Sequence, residues 1–268
     1  MPMISAADNH LVTADRQGFD VAAEKYDRFM GRYSRLLSPQ LADLARVQRG
    51  QRVLDVGCGP GALIAELVAR LGPEAVTAVD PSAPFVAAAR ARHPGVDVVQ
   101  APAEQLPFSD GAFDAVLAQL VVHLMSDPVA GIGEMVRVTR RDGVVAACVW
   151  DYAGRTDPLS DFWRAARELD PAVADESERA GTREGHLEEL FHAAGLHNVE
   201  ATALSVSLEH SSFEGWWEPF TLGVGPAGTY VVGLDPESRA ALRERCRATL
   251  PPPPFVVTAR AWAARGIA

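Results

Sequence analysis

Apolar residues change their period in a regular order between positions 51 and 149. Residues 53–56, 76–80, 96–100, 113–119 and 143–150 are short, mostly continuous apolar runs rich in Val, the pattern of strands covered on both faces. Between them the apolar positions recur at helical spacing. Leu63, Ile64, Leu67, Val68 and Leu71 predict a helix over 61–71, ended by Pro73. Residues 84–92 predict a second helix and 128–138 a third, the latter with Ile132, Met135, Val136 and Val138 inward. Strands alternating with helices imply parallel βαβ units and a doubly wound α/β sheet.

Past Trp150 the alternation stops. Residues 157–170 read as an amphipathic helix, followed by an acidic, poorly patterned stretch through Gly181. A core helix over 183–194, a sixth strand over 199–208 and a seventh over 255–263 follow. The roughly forty-five residues between these last two strands are too many for a turn and predict a helical cap, built from 212–222 and 236–250. Phe213, Trp216, Trp217 and Phe220 fall on or near one face there, as packing or as an apolar substrate wall. The expected organisation is an N-terminal helical lid segment (1–50), a core (51–210) with a variable region (151–182), a cap insertion (211–254) and a last core strand (255–268).

Composition narrows the function classes. The 268 residues can bury about 70% of their unfolded surface, enough for one large α/β domain. A net charge of −10 without a basic run argues against a nucleic acid partner, which needs clustered Lys and Arg. Three cysteines, Cys58, Cys148 and Cys246, have neither paired nor metal-ligand spacing, so no disulfide framework and no metal site is expected, and a reducing cytoplasm is the simplest setting. The opening Met1-Pro2-Met3 lacks a basic segment before an apolar one, and no run approaches a membrane span.

The chemistry concentrates at two strand ends. Val53-Leu54-Asp55-Val56-Gly57-Cys58-Gly59-Pro60-Gly61 is a strand running into a three-glycine turn, and the next strand ends in Asp80-Pro81-Ser82. Alternate glycines let the backbone lie against a ligand, while a carboxylate closing the neighbouring strand can accept both hydroxyls of a ribose. A dinucleotide turn reads G-x-G-x-x-G with a pyrophosphate on the helix. Here the spacing is Gly57-x-Gly59-x-Gly61, and Asp55 stands where a phosphate would be repelled and an amine accepted. These residues resemble motif I of class I S-adenosylmethionine (SAM) dependent methyltransferases. Ala103-Glu104-Gln105-Leu106-Pro107-Phe108 resembles the A-E-x-L-P-F loop of the ubiquinone and menaquinone biosynthesis group, the methyltransferase type 11 proteins.

The resemblance implies a seven-stranded Rossmann-like sheet with an antiparallel last strand, and SAM as cofactor. It implies a cofactor site drawn from Asp55, Gly57, Cys58, Gly59, Gly61, Asp80, Pro81, Ser82, Ala103, Glu104 and Gln119. Many relatives carry Asp before that Ala to receive the adenine amine; Pro102 offers neither a side-chain acceptor nor an N–H, so adenine recognition shifts to backbone, Ala103 above all. Relatives also fold an N-terminal helix across the cofactor, which makes Tyr26 and Arg32 the expected contacts to its methionine end, and 19–33 a lid. His123, just past the fourth strand and with an ordinary pKa near 6.5, is the expected catalytic base for a small, apolar or aromatic acceptor. His186, His192, His197 and His210 are expected at surfaces and given no role. A non-catalytic binding protein of the same fold and an NAD-dependent oxidoreductase are the alternatives. The oligomeric state is left open.

Overall fold

A computed structural model describes residues 23–268. Its parallel strands are β1 (Val53–Val56), β2 (Val76–Asp80), β3 (Asp97–Gln100), β4 (Phe113–Gln119) and β5 (Thr139–Trp150). Two long strands, β6 (His197–His210) and β7 (Phe255–Ile267), complete one sheet in the order β3-β2-β1-β4-β5-β7-β6. β7 is antiparallel to both of its neighbours, β5 and β6. The sheet is therefore the doubly wound α/β arrangement with an antiparallel last strand that the sequence implies.

Alternation along each strand builds two cores. Ala115 and Leu117 of β4 and Ala146, Cys148 and Trp150 of β5 enter one cluster, while Val116, Ala118, Val145, Ala147 and Val149 enter the other. Because both faces are buried, these strands read as continuous apolar runs, not as alternating ones. The first core is covered by α1 (Ala23–Tyr26), a π-helical turn over Asp27–Gly31, α2 (Arg32–Leu44), α3 (Ala62–Leu71) and α4 (Ala83–Arg92). The second is covered by α5 (Pro128–Val138) and, beyond β5 and α6 (Ser160–Leu169), by α7 (His186–Ala193). Ser82 and Asp127 cap α4 and α5 by accepting from the Phe85 and Ala130 amides.

Between β6 and β7 lie α8 (Phe213–Trp217), a 3₁₀ turn, α9 (Gly225–Gly233) and α10 (Pro236–Thr249). Phe213, Trp216, Trp217 and Phe220 are buried, and Phe220 stacks on Phe162 of α6 with ring centroids 4.6 Å apart. These aromatics close a core.

Several elements differ from expectation. α9 was not foreseen, because its Gly-Pro-Ala-Gly start carries no amphipathic period. The N-terminal helix runs on to Leu44 through Pro39: the proline forfeits one helical hydrogen bond, but Leu37, Leu41 and Ala42 around it are fully buried. Residues 19–22 of the expected lid lie outside the described residues. His210, expected at a surface, is buried, with Nε2 3.0 Å from the Tyr33 hydroxyl and its ring stacked on Phe255. Strands 13 and 14 residues long pair there, and their shared face is covered by α2.

Candidate functional site

Parallel strands end at one edge, so the turns after β1, β2, β3, β4 and β5 are neighbours, spread over about 19 Å from β3 to β5 at ~4.8 Å per strand. A cavity of about 570 Å³ opens there. The glycine turn is fixed by the neighbouring strand, since Gly57 N and Cys58 N both donate to Val79 O, at 2.8 and 2.9 Å. Gly57, Gly59 and Gly61 all have positive φ, at 69°, 53° and 103°. Their surroundings differ. A Cβ on Gly57 would stand 2.4 Å from a Val121 methyl and one on Gly61 2.5 Å from His93 Nε2, whereas one on Gly59 would meet nothing within 4 Å. Of the three, Gly57 and Gly59 line the cavity and Gly61 does not.

Asp80 Oδ2 accepts from Gly59 N and Oδ1 from Ser82 N, both at 2.8 Å. Burial pushes its carboxyl up to about 6, with these two amides pulling the other way. Asp80, Pro81 and Ser82 line the cavity, as do Pro102, Ala103 and Glu104 from the loop after β3. That loop is held from α5: Arg137 donates to Leu106 O and Phe108 O, and Glu134 accepts from Leu106 N. Glu104 Oε1 in turn accepts from Ser126 N at 2.6 Å, tying this loop to the segment after β4.

Asp55 is buried behind the turn, with neither carboxylate oxygen hydrogen-bonded among the described residues. Burial and the facing Asp80 raise its pKa well above the ordinary carboxylate range. It does not line the cavity, and neither does Cys58, whose thiol burial likewise pushes up. Gln119 and Tyr26 do. Gln119 Nε2 donates to Ser34 O at 3.1 Å, while its Oε1 has no partner among the described residues. Tyr26 meets Phe85 edge-on, with centroids 5.4 Å apart. Arg32 lies elsewhere: it donates to Phe29 O and Gly215 O, joining the N-terminal helix to the cap, and is not a cavity residue.

His123 lines the cavity, but its titration is not the ordinary one. Burial, with Arg179 nearby adding positive charge, pushes it down to about 3, so the imidazole is neutral at pH 7 and a weak base. Beyond it the cavity is lined by Trp150, Tyr152, Leu159, Glu176 and Arg179, none of them foreseen as site residues. Trp150 was legible only as the end of the fifth strand, and the others only as part of the variable region 151–182, which does not say where a side chain points.

The residues matched by a family model described as a methyltransferase domain are 54–147, which span β1 to β4 and most of β5. An uncharacterized methyltransferase of Mycobacterium sp. (strain JLS) is 33% identical over 183 residues, 65% of this chain and 69% of that protein. The chain belongs to the SAM-dependent methyltransferase family.

Other methyltransferase relatives match over shorter spans. A malonyl-[acyl-carrier protein] O-methyltransferase of Erwinia billingiae is 38% identical over 48% of this chain and 50% of its own length. A demethylmenaquinone methyltransferase of Beutenbergia cavernae is 38% identical over 47% of this chain and 53% of its own. The chain thus spans about half the length of these curated relatives. Among solved structures, Haemonchus contortus phosphoethanolamine N-methyltransferase 2, in complex with phosphomonomethylethanolamine and S-adenosylhomocysteine, superposes with a TM-score of 0.57 at 16% identity, covering 100% of this chain and 61% of that one. The [4+2]-cyclase SpnF superposes with a TM-score of 0.52 at 21% identity, covering 87% of this chain and 81% of that one. These two likenesses concern the fold. Among the described residues, no helix of this methyltransferase-family chain is long and apolar enough to cross a membrane.

Proposed function

We propose that the chain transfers the methyl group of SAM to a small acceptor with an apolar or aromatic body. One observation carries the reading: a single cavity joins the Gly57-Gly59-Asp80 corner to walls formed by Phe29, Met30, Trp150 and Leu159. The residues at the first end fit a nucleoside. Gly59 lets the backbone approach closely, because the place of its Cβ is open. Asp80 keeps a free lone pair on each oxygen for ribose hydroxyls, and Ala103 and Glu104 border the adenine side, where Pro102 supplies no side-chain acceptor. Asp55 stands behind the glycine turn, outside the cavity, without a hydrogen-bond partner among the described residues. Tyr26 and Gln119 border the methionine side.

SAM supplies a methyl on a sulfonium, an electrophile that needs no activation from the protein. The chain's share is orientation and exclusion of water, and alignment of two reactants is worth about 7–11 kcal/mol. Calorimetric titration with SAM, S-adenosylhomocysteine and NAD tests the first half of the reading. Binding of both sulfur nucleosides and not of NAD supports it; a well-folded sample that binds neither sinks it. Methyl transfer from labelled SAM to a panel of aromatic acceptors tests the second half.

A further inference from the structure

The acceptor end of the cavity holds polar atoms in an otherwise apolar wall. Trp150 Nε1, His123 Nδ1 and Glu176 Oε2 are all buried and have no hydrogen-bond partner among the described residues. All three side chains line the cavity, with Arg179 beside them. Unmet buried polar atoms are costly, so three such side chains lining one cavity point to a ligand that meets them.

All three groups are able to donate. An indole N–H is a donor only. The His123 imidazole is neutral, and one of its nitrogens carries a proton. Burial and the neighbouring Asp157 carboxyl push Glu176 up to about 8, against the pull of Arg179, so at pH 7 it too carries a proton to donate. The acids facing it do not reverse this. Asp157 is engaged by Leu159 N and the Ser160 hydroxyl, and Asp175 is paired with Arg167. Tyr152, the remaining titratable neighbour, is held neutral by burial. Three groups able to donate into one cavity favour a negative oxygen and disfavour an ammonium.

We propose that this end of the cavity is an oxyanion site, taking an acceptor whose apolar body bears an oxygen already ionised at neutral pH, a carboxylate or an acidic phenol. The inference rests on the methyl-transfer reading above. The step needs no base from the protein. A lone pair of the anionic oxygen forms the bond to the methyl carbon, the carbon–sulfur bond breaks with its pair going to sulfur, and the negative oxygen and positive sulfur neutralise each other without a proton moving. Leu159, Tyr152, Met30 and Pro226 line the space left for the apolar body.

The test is calorimetry on the full chain loaded with S-adenosylhomocysteine. The probes at pH 7 are 2-naphthoate, 2,4-dinitrophenolate, the neutral 2-acetylnaphthalene and the cationic 2-naphthylmethylammonium. At least one anion should bind about tenfold or more tightly than the ketone and the ammonium, and which anion does so separates a carboxylate site from a phenolate site. Above pH 8 the Glu176 carboxylate forms and repels the anion, so by pH 9.5 wild type should lose about tenfold in affinity while E176Q, which still donates an N–H, keeps it. Equal or tighter binding of the ketone or the ammonium overturns the inference, as does the absence of binding by all four probes or a pH dependence unchanged in E176Q. S-adenosylhomocysteine binding is measured first in each protein. Its failure sinks the methyl-transfer reading; its success with any of the overturning results sinks the oxyanion site alone.

Discussion

The Gly59 amide donates to Asp80 Oδ2 at 2.8 Å, which makes the turn after β1 and the end of β2 one hydrogen-bonded unit. The proposed nucleoside corner is thus assembled before any ligand arrives. Asp80→Ala removes the acceptor of two amides, Gly59 and Ser82, together with the proposed ribose contact. S-adenosylhomocysteine affinity should fall by roughly 1–3 kcal/mol in calorimetry. An unchanged affinity would take Asp80 out of the site.

Gly57 and Gly59 should fail in different ways. Gly57→Ala drives a Cβ to 2.4 Å from Val121 at a φ of 69°, so crowding and backbone strain add, and thermal unfolding should report a loss of roughly 2–4 kcal/mol. Gly59→Ala meets no protein atom, so its stability cost is about 1 kcal/mol from φ alone, while its methyl group occupies the proposed cofactor's approach and should weaken S-adenosylhomocysteine binding tenfold or more. If Gly59→Ala binds normally, the cofactor does not lie against that turn.

His123 should show no titration between pH 5 and 8. Its ring is buried with a pKa near 3, so its NMR resonances should stay those of the neutral form throughout that range. A midpoint near 6.5 would return His123 to the role of general base.

Asp157 gives a stability effect of definite sign. Burial raises its folded pKa to about 7 from an ordinary value of 3.8, so its contribution is fully present below the unfolded value and is lost as pH rises through 7. Asp157→Asn keeps an acceptor for the Leu159 amide and has no proton to lose. The variant should therefore gain on wild type from pH 4 to pH 8, by up to about 4 kcal/mol, in denaturant melts run across that range. A constant difference between the two proteins would show that folding does not raise the Asp157 pKa.

Tyr33→Phe leaves Nε2 of the buried His210 without its hydroxyl partner and should cost about 1–2 kcal/mol without changing S-adenosylhomocysteine affinity, because neither residue lines the cavity. Loss of cofactor binding at full stability would mean that α2 acts on the site directly.

What the sequence made legible follows from how local each signal is. β1 and β2 begin and end within a residue of expectation because Val-rich buried runs meet a glycine turn or an acid at their ends, and β4 does so as an apolar run closed by Gln119. The corner formed by Gly57, Gly59 and Asp80 was legible for the same reason: both motifs sit at strand ends, and parallel pairing brings such ends together. Glu176 and Trp150 were not. They reach the cavity from separate segments, and nothing in the spacing around either residue encodes the contact. The neutrality of His123 was equally hidden, since it arises from burial by Tyr152 and from the field of Arg179, fifty-six positions away in sequence.

The place of β7 has a consequence for the order of assembly during synthesis. β7 follows every other strand in the chain yet occupies a slot between β5 and β6, closing 7 backbone pairings on one side and 12 on the other. Until it emerges from the ribosome, the rim of β5 is an open template, β6 has no neighbour in the sheet, and α8, α9 and α10 have no anchor at their far end. A nascent chain can thus complete the half that resembles a nucleoside-binding unit while the half bearing Trp150 stays unfinished, so competence to hold a nucleoside should arise on the ribosome before competence to hold an acceptor.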